Sequence, residues 1–114
     1  MPLLTIHTNN KISDEQKTEL LSKVSSLVAK QLGKPERYVM VRLADNEPML
    51  FAGDDKPLAF LELKSIGLSG DATADLSSVL CGFMKNELNI PTDRTYIEFS
   101  DAPRKFWGWN SGTF

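Results

Sequence analysis

Cysteine and histidine are almost missing from this 114-residue chain: each occurs once, as Cys81 and His7. A lone thiol forms no internal disulfide, and one Cys with one His cannot close a structural zinc site, so redox and metal chemistry are disfavoured. A basic excess is missing too. Lys and Arg number 13 against 15 Asp and Glu, a formal charge of −2, and they are scattered, which argues against a partner gripped through its phosphates. Long apolar runs are also absent: the stretches from Pro57 to Leu61 and from Val79 to Met84 fall far short of the ~20 residues of a membrane span. Neither nucleic acid nor a membrane is an expected partner. The N-terminus lacks the basic start and apolar core of a secretory signal, so the expected location is the cytoplasm.

What is present is ordinary globular material. Apolar residues make up 41% and charged residues 25%, which excludes disordered, collagen-like and coiled-coil classes. A chain of this length buries roughly two thirds of its unfolded surface, enough for one modest core and one domain.

Leu3, Leu4 and Ile6 read as a first strand, ended by the turn formers His7 to Asn10. Ser13 followed by Gln16 is a capping-box spacing, Asp14 and Glu15 suit the positive first turn, and Leu20, Leu21, Val24, Leu27, Val28 and Leu32 form one stripe. These residues predict a helix over 14–32, stopped by Gly33 and Pro35. Val39 to Leu43 reads as a second strand. The polar segment 45–56 that follows carries an apolar triplet, Met49, Leu50 and Phe51. Leu58 to Leu63 reads as a third strand and 65–70 as a Gly/Ser loop. Asp71 or Thr73 is the expected cap of a second helix marked by Leu76, Val79, Leu80, Phe83, Met84 and Leu88. Tyr96, Ile97 and Phe99 form a fourth strand, followed by an aromatic tail over 101–114.

The halves repeat: Pro2-Leu3 and Pro57-Leu58 stand 55 positions apart, and Asp45 and Asp101, each ending a strand, 56 apart. Each half is strand, helix, strand, the usual right-handed parallel unit. Two in tandem make an α/β (α+β) fold with a four-stranded mixed sheet and both helices on one face. Apolar residues at adjacent positions, Leu58 to Leu61 and Val39 to Val41, suggest that both sheet faces seek burial. Two helices cover one face only, so either other copies of the chain cover the second or the tail folds back over it; association is favoured.

Several residues are candidates for chemistry. Pro2 either starts a strand where a missing N–H does no harm or, once Met1 is removed, becomes a secondary amine whose pKa burial or a nearby cation would lower into the range of a general base. Lys34 either meets the negative end of the helix dipole in solvent or holds a substrate carboxylate. Ser65-Ile66-Gly67, at a strand end, offers backbone N–H groups to an anion. Tyr96 is a hydroxyl donor or a packed aromatic. Phe106, Trp107, Trp109 and Phe114 line a pocket or anchor an interface. Cys81 reads as a small core hydrophobe, and His7 has no partner at short range.

Met1-Pro2 before a short strand, Gly33-Lys34-Pro35, Ser65-Ile66-Gly67, Leu80-Cys81-Gly82, Asp93-Arg94 before Tyr96-Ile97, and Gly108-Trp109-Asn110 before Thr113-Phe114 form an ordered set spanning the chain. The set resembles the macrophage migration inhibitory factor family of the tautomerase superfamily. The resemblance implies a single domain over 1–114, a homotrimer built round a central barrel, and keto–enol tautomerisation of aromatic 2-oxo acids such as phenylpyruvate without a cofactor. It implies Pro2 as the catalytic base, with Lys34, the Ile66 backbone, Trp107 and Phe114 binding substrate, and Tyr96 supplied by a neighbouring subunit. Glu98 stands at a ligand-contacting position where the family's familiar member has Asn, Trp107 replaces a smaller aliphatic residue, and Leu58 and Leu61 replace a Cys-x-x-Cys, so thiol redox activity is not implied. The other reading is a cytokine-like or regulatory trimer with a vestigial pocket and a protein receptor, exported without a signal peptide.

Overall fold

The computed structural model describes residues 1–114. Its first element is β1 (Leu3–Thr8), followed by α1 (Asp14–Leu32) and β2 (Met40–Ala44). The second unit repeats this with β3 (Ala59–Ile66), α2 (Thr73–Leu88) and β4 (Thr95–Ala102), and the tail ends in two short strands, β5 (Gly108–Trp109) and β6 (Gly112–Thr113). The sheet order is β2-β1-β3-β4. Within each unit the strands are parallel, Leu3 opposite Met40 and Ala59 opposite Thr95, and the units meet along an antiparallel β1–β3 ladder. The expected mixed four-stranded sheet is therefore present.

Local chemistry accounts for the boundaries. The Ser13 hydroxyl accepts the Gln16 N–H at 3.2 Å, and Gly33, at φ 62°, closes α1 in the left-handed conformation that costs glycine least. At the start of α2 neither Asp71 nor Thr73 is the cap. A 3-10 turn over Gly70–Ala72 leads into the helix, and Ser69 accepts the Asp71 N–H instead. β3 and β4 run longer than the apolar pattern suggests because their parallel ladder continues to Ile66 and Ala102. Ser65 and Ile66 are thus the last residues of a strand, and the turn begins at Gly67.

The core lies between the helices and one sheet face. Leu4, Ile6, Leu61 and Leu63 are fully buried against Leu20, Val24, Leu76, Leu80 and Met84. The opposite face differs from the expectation drawn from the apolar neighbours Leu58 to Leu61 and Val39 to Val41. Strand alternation places Arg42, Glu62, Lys64 and Glu98 on it, together with Leu3, Met40, Phe60 and Tyr96. The misleading apolar neighbours arise because Leu58 and Val39 precede their strands. This face is amphipathic rather than a second core, and the tail does not cover it: Met40 is 64% and Tyr96 65% exposed.

His7 does have partners, brought in by tertiary structure. Its Nδ1 lies 2.9 Å from Glu47 and its Nε2 3.6 Å from Glu62, and its ring stacks on Phe60, which ties the segment after β2 to the open face. No helix is long and apolar enough to cross a membrane.

Candidate active site

Pro2 is fully buried at the head of β1. Its carbonyl accepts the Met40 N–H at 2.9 Å, while its own missing N–H is not needed at the first position of the ladder. Met1 precedes it, and the Met1 amino group donates to the Tyr38 carbonyl at 3.0 Å. Burial, and secondly the Lys34 cation, hold this terminal amine below the ordinary value for a chain terminus.

The αL turn at Gly33 re-aims the chain after α1, with Lys34 N–H bonded back to the Ala29 carbonyl, and so directs Lys34 across the end of β3. There its Nζ donates to the Ile66 carbonyl at 3.3 Å. The sequence places these two residues far apart, and the fold brings them together beside the amino terminus. The expected anion site at the Gly67 turn is not available, however. The Gly67 and Leu68 N–H groups both donate to Asp101 Oδ1, at 2.9 and 3.0 Å, so a carboxylate of the chain already occupies that nest.

The aromatic tail forms a wall beside Pro2. Trp109 stacks on Phe114 with ring centroids 5.2 Å apart, and Tyr38 meets both edge-on. The Phe114 N–H donates to the Trp107 carbonyl, and Arg104 Nε donates to the Phe114 carbonyl at 3.0 Å, which fixes the last residue. Pro2, Tyr38, Trp107, Trp109 and Phe114 bound a cavity of about 360 Å³, with Arg37 as the charged side chain in its wall. Phe106 takes no part and is 83% exposed. A larger hollow of about 560 Å³ beside Asn9, Met49 and Leu50 is wide open and formed mainly by the segment after β2; it contains neither the terminal amine nor an aromatic wall.

Tyr96 and Glu98 are not in this cavity. Tyr96 is in register with Phe60 and through it with His7, five residues along β1 from Pro2 and two strands across. At ~3.3 Å per residue that is about 16 Å along the sheet. Glu98 is in register with Glu62 and through it with Thr5, three residues along β1 from Pro2 and two strands across. Tyr96 instead packs on Phe51 at 4.9 Å. Tyr38 and Arg37 are pocket residues that sequence reasoning missed; their only signal was their place just after the Gly33-Lys34-Pro35 turn.

The family model described as macrophage migration inhibitory factor matches residues 1–114. The chain belongs to that family. Among macrophage migration inhibitory factor relatives, the Brugia malayi homologue is 40% identical over 118 residues, covering 100% of this chain and 99% of its own length. The Xenopus tropicalis protein is 36% identical over 115 residues with the same coverage. The solved structure of the homologue from Prochlorococcus marinus superposes with a TM-score of 0.92 at 42% identity, over 98% of each chain. That from Trichinella spiralis gives 0.90 at 34% identity, over 98% of this chain and 99% of its own. The mixed sheet with two helices is thus the fold of the macrophage migration inhibitory factor family.

Proposed function

We propose that, once Met1 is removed, the protein is a cofactor-independent keto–enol tautomerase of aromatic 2-oxo acids of the phenylpyruvate type, with Pro2 as its general base. The observation that carries this reading is the head of β1 at the edge of an aromatic cavity, where Pro2 is buried and the Met1 terminal amine beside it is held low by burial and by Lys34. Loss of Met1 converts the Pro2 amide nitrogen into a secondary amine subject to the same two influences. Deprotonated, it takes the C3 proton of the 2-oxo acid; the C–H electron pair forms the C2=C3 bond, the carbonyl π pair moves to oxygen, and the resulting enolate oxygen takes the proton back from the Pro2 ammonium, which regenerates the base. Lys34 binds the carboxylate and offsets the developing charge, while Trp107 and Phe114 hold the ring. The Ile66 carbonyl orients Lys34 in this scheme. An enolisation assay on Met1-free protein tests it. Turnover that is lost in Pro2→Gly supports Pro2 as base, and an unchanged rate in that variant overturns it.

The active unit in this reading is a homotrimer. Tyr96 and Glu98 are too far from Pro2 of their own chain to share its cavity, and Leu50, 69% exposed beside Met49 and Phe51, offers an apolar contact to a second copy. Sedimentation equilibrium is expected to give three times the chain mass of 12.7 kDa, with Leu50→Glu shifting the protein toward monomer while its circular dichroism is retained. A wild-type monomer at micromolar concentration would exclude the trimer.

A further inference from the structure

The cavity beside Pro2 contains a cation that the proposed reaction leaves unused. Arg37 lines the wall next to Tyr38, with its guanidinium carbon 4.8 Å from the Tyr38 ring centroid. It makes no salt bridge, since every ion pair in the chain involves His7, Lys17, Lys23 or Arg94. Its neighbour Glu36 accepts instead from the Ser26 hydroxyl at 3.2 Å. Lys34 and Ile66, by contrast, lie outside the wall of this cavity, bonded to each other. The two cations therefore stand at different places around the amino terminus. A guanidinium resting on an aromatic face keeps its planar fork free, and that fork matches the two oxygens of a carboxylate.

We infer that Arg37 is a second anion-binding residue, and that the preferred ligand is an aromatic 2-oxo acid bearing a second anionic group on its ring. The inference deepens, and rests on, the tautomerase reading, in which Lys34 takes the 2-oxo acid carboxylate and Trp107 and Phe114 hold the ring. The ring substituent then reaches the Arg37 side of the cavity. A neutral ring leaves the guanidinium solvated and gains nothing from it.

The test compares phenylpyruvate with 4-carboxyphenylpyruvate in Met1-free wild type, Arg37→Gln and Lys11→Gln. The last removes one positive charge at the other end of β1. The ratio of kcat/KM for the dianion to that for the monoanion is expected to fall about five- to tenfold in Arg37→Gln, through KM and not kcat, and to hold in Lys11→Gln. An unchanged ratio, or a parallel loss for both acids, overturns the inference. Binding is read separately from turnover, because both tryptophans of the chain line the cavity and their fluorescence reports its occupancy. Absence of all turnover would refute the tautomerase reading. In that case weaker dianion binding in Arg37→Gln alone would sustain the role of Arg37, and equal binding in the three proteins would end it.

Discussion

Protein that still carries Met1 is expected to enolise phenylpyruvate at least about a hundredfold more slowly than the same chain beginning at Pro2, the contribution of a positioned general base. The reason is elementary. Acylated by Met1, the Pro2 nitrogen is an amide with no basic lone pair, and the free Met1 amine is directed to the Tyr38 carbonyl instead. The pH profile carries the sign of the same argument. An amine acts as base only when deprotonated, so kcat/KM rises with pH through its pKa. Burial and Lys34 lower the pKa of the terminal amine at this position, that of Met1, and the same direction is expected for the Pro2 amine, so the rise comes at lower pH than for an ordinary chain terminus. Lys34→Gln removes the second of these causes and is expected to move the limb toward higher pH as well as raise KM. Equal rates with and without Met1, measured with mass spectrometry of each N-terminus, would rule out the terminal proline.

Arg94→Ala is expected to destabilise the fold by about 2–4 kcal/mol, read from urea unfolding at fixed protein concentration. Arg94 is the clamp of the segment that leads into β3. Its Nε donates to the Pro57 carbonyl at 3.0 Å, Nη1 to Phe51 at 3.2 Å, and Nη2 to Lys56 at 2.9 Å and Asp54 at 3.3 Å. Nη2 also pairs with the Asp54 carboxylate at 2.8 Å, and the Arg94 side chain is only 12% exposed. Truncation removes the guanidinium from all five acceptors: the Pro57 carbonyl loses its donor, while the Phe51 and Asp54 carbonyls keep each other's N–H, the Lys56 carbonyl keeps Asn9 Nδ2 at 3.4 Å, and the Asp54 carboxylate keeps the Lys56 N–H. The loop is partly wet and Asp54 is 43% exposed, so water replaces some of these bonds, which keeps the estimate below the cost of an isolated buried ion. Arg94→Lys retains the charge without the fork and is expected to recover less than half of the loss. Hydrogen exchange at 51–57 should accelerate more than in the core of α2. Because Phe51 packs under the guanidinium and against Tyr96, the same variant is expected to weaken association as well. A change below ~0.5 kcal/mol, the scale of an ordinary surface substitution, would show that the clamp is dispensable.

Much of this architecture was legible in the sequence. The Ser13 cap, the stripe from Leu20 to Leu32 and the Gly33 stop place α1 over the span that the structure gives it, because capping and periodicity depend on residues within a few positions of each other. The repeat of strand, helix, strand then leads to the mixed sheet, since a helix of that length joins parallel neighbours. Pro2, Trp107 and Phe114, which bound the cavity, were singled out through an ordered set of motifs and not through any one of them.

Only tertiary structure decided the rest. Whether a strand residue faces the core depends on register, and one position of shift exchanges the faces, so the charges on the open face were concealed behind the apolar neighbours Leu58 and Val39. Asp101 occupying the Gly67 nest, His7 between Glu47 and Glu62, and Arg94 over four carbonyls are each contacts across more than 30 positions of chain. No local pattern encodes them. The scarcity of cysteine and histidine, together with the charge of −2, narrowed the chemistry; the fold then placed Lys34, Tyr38 and the aromatic tail around the buried head of β1. Composition states which groups a chain possesses, whereas their proximity, and hence their pKa and their partners, is a property of the folded ladder and turns.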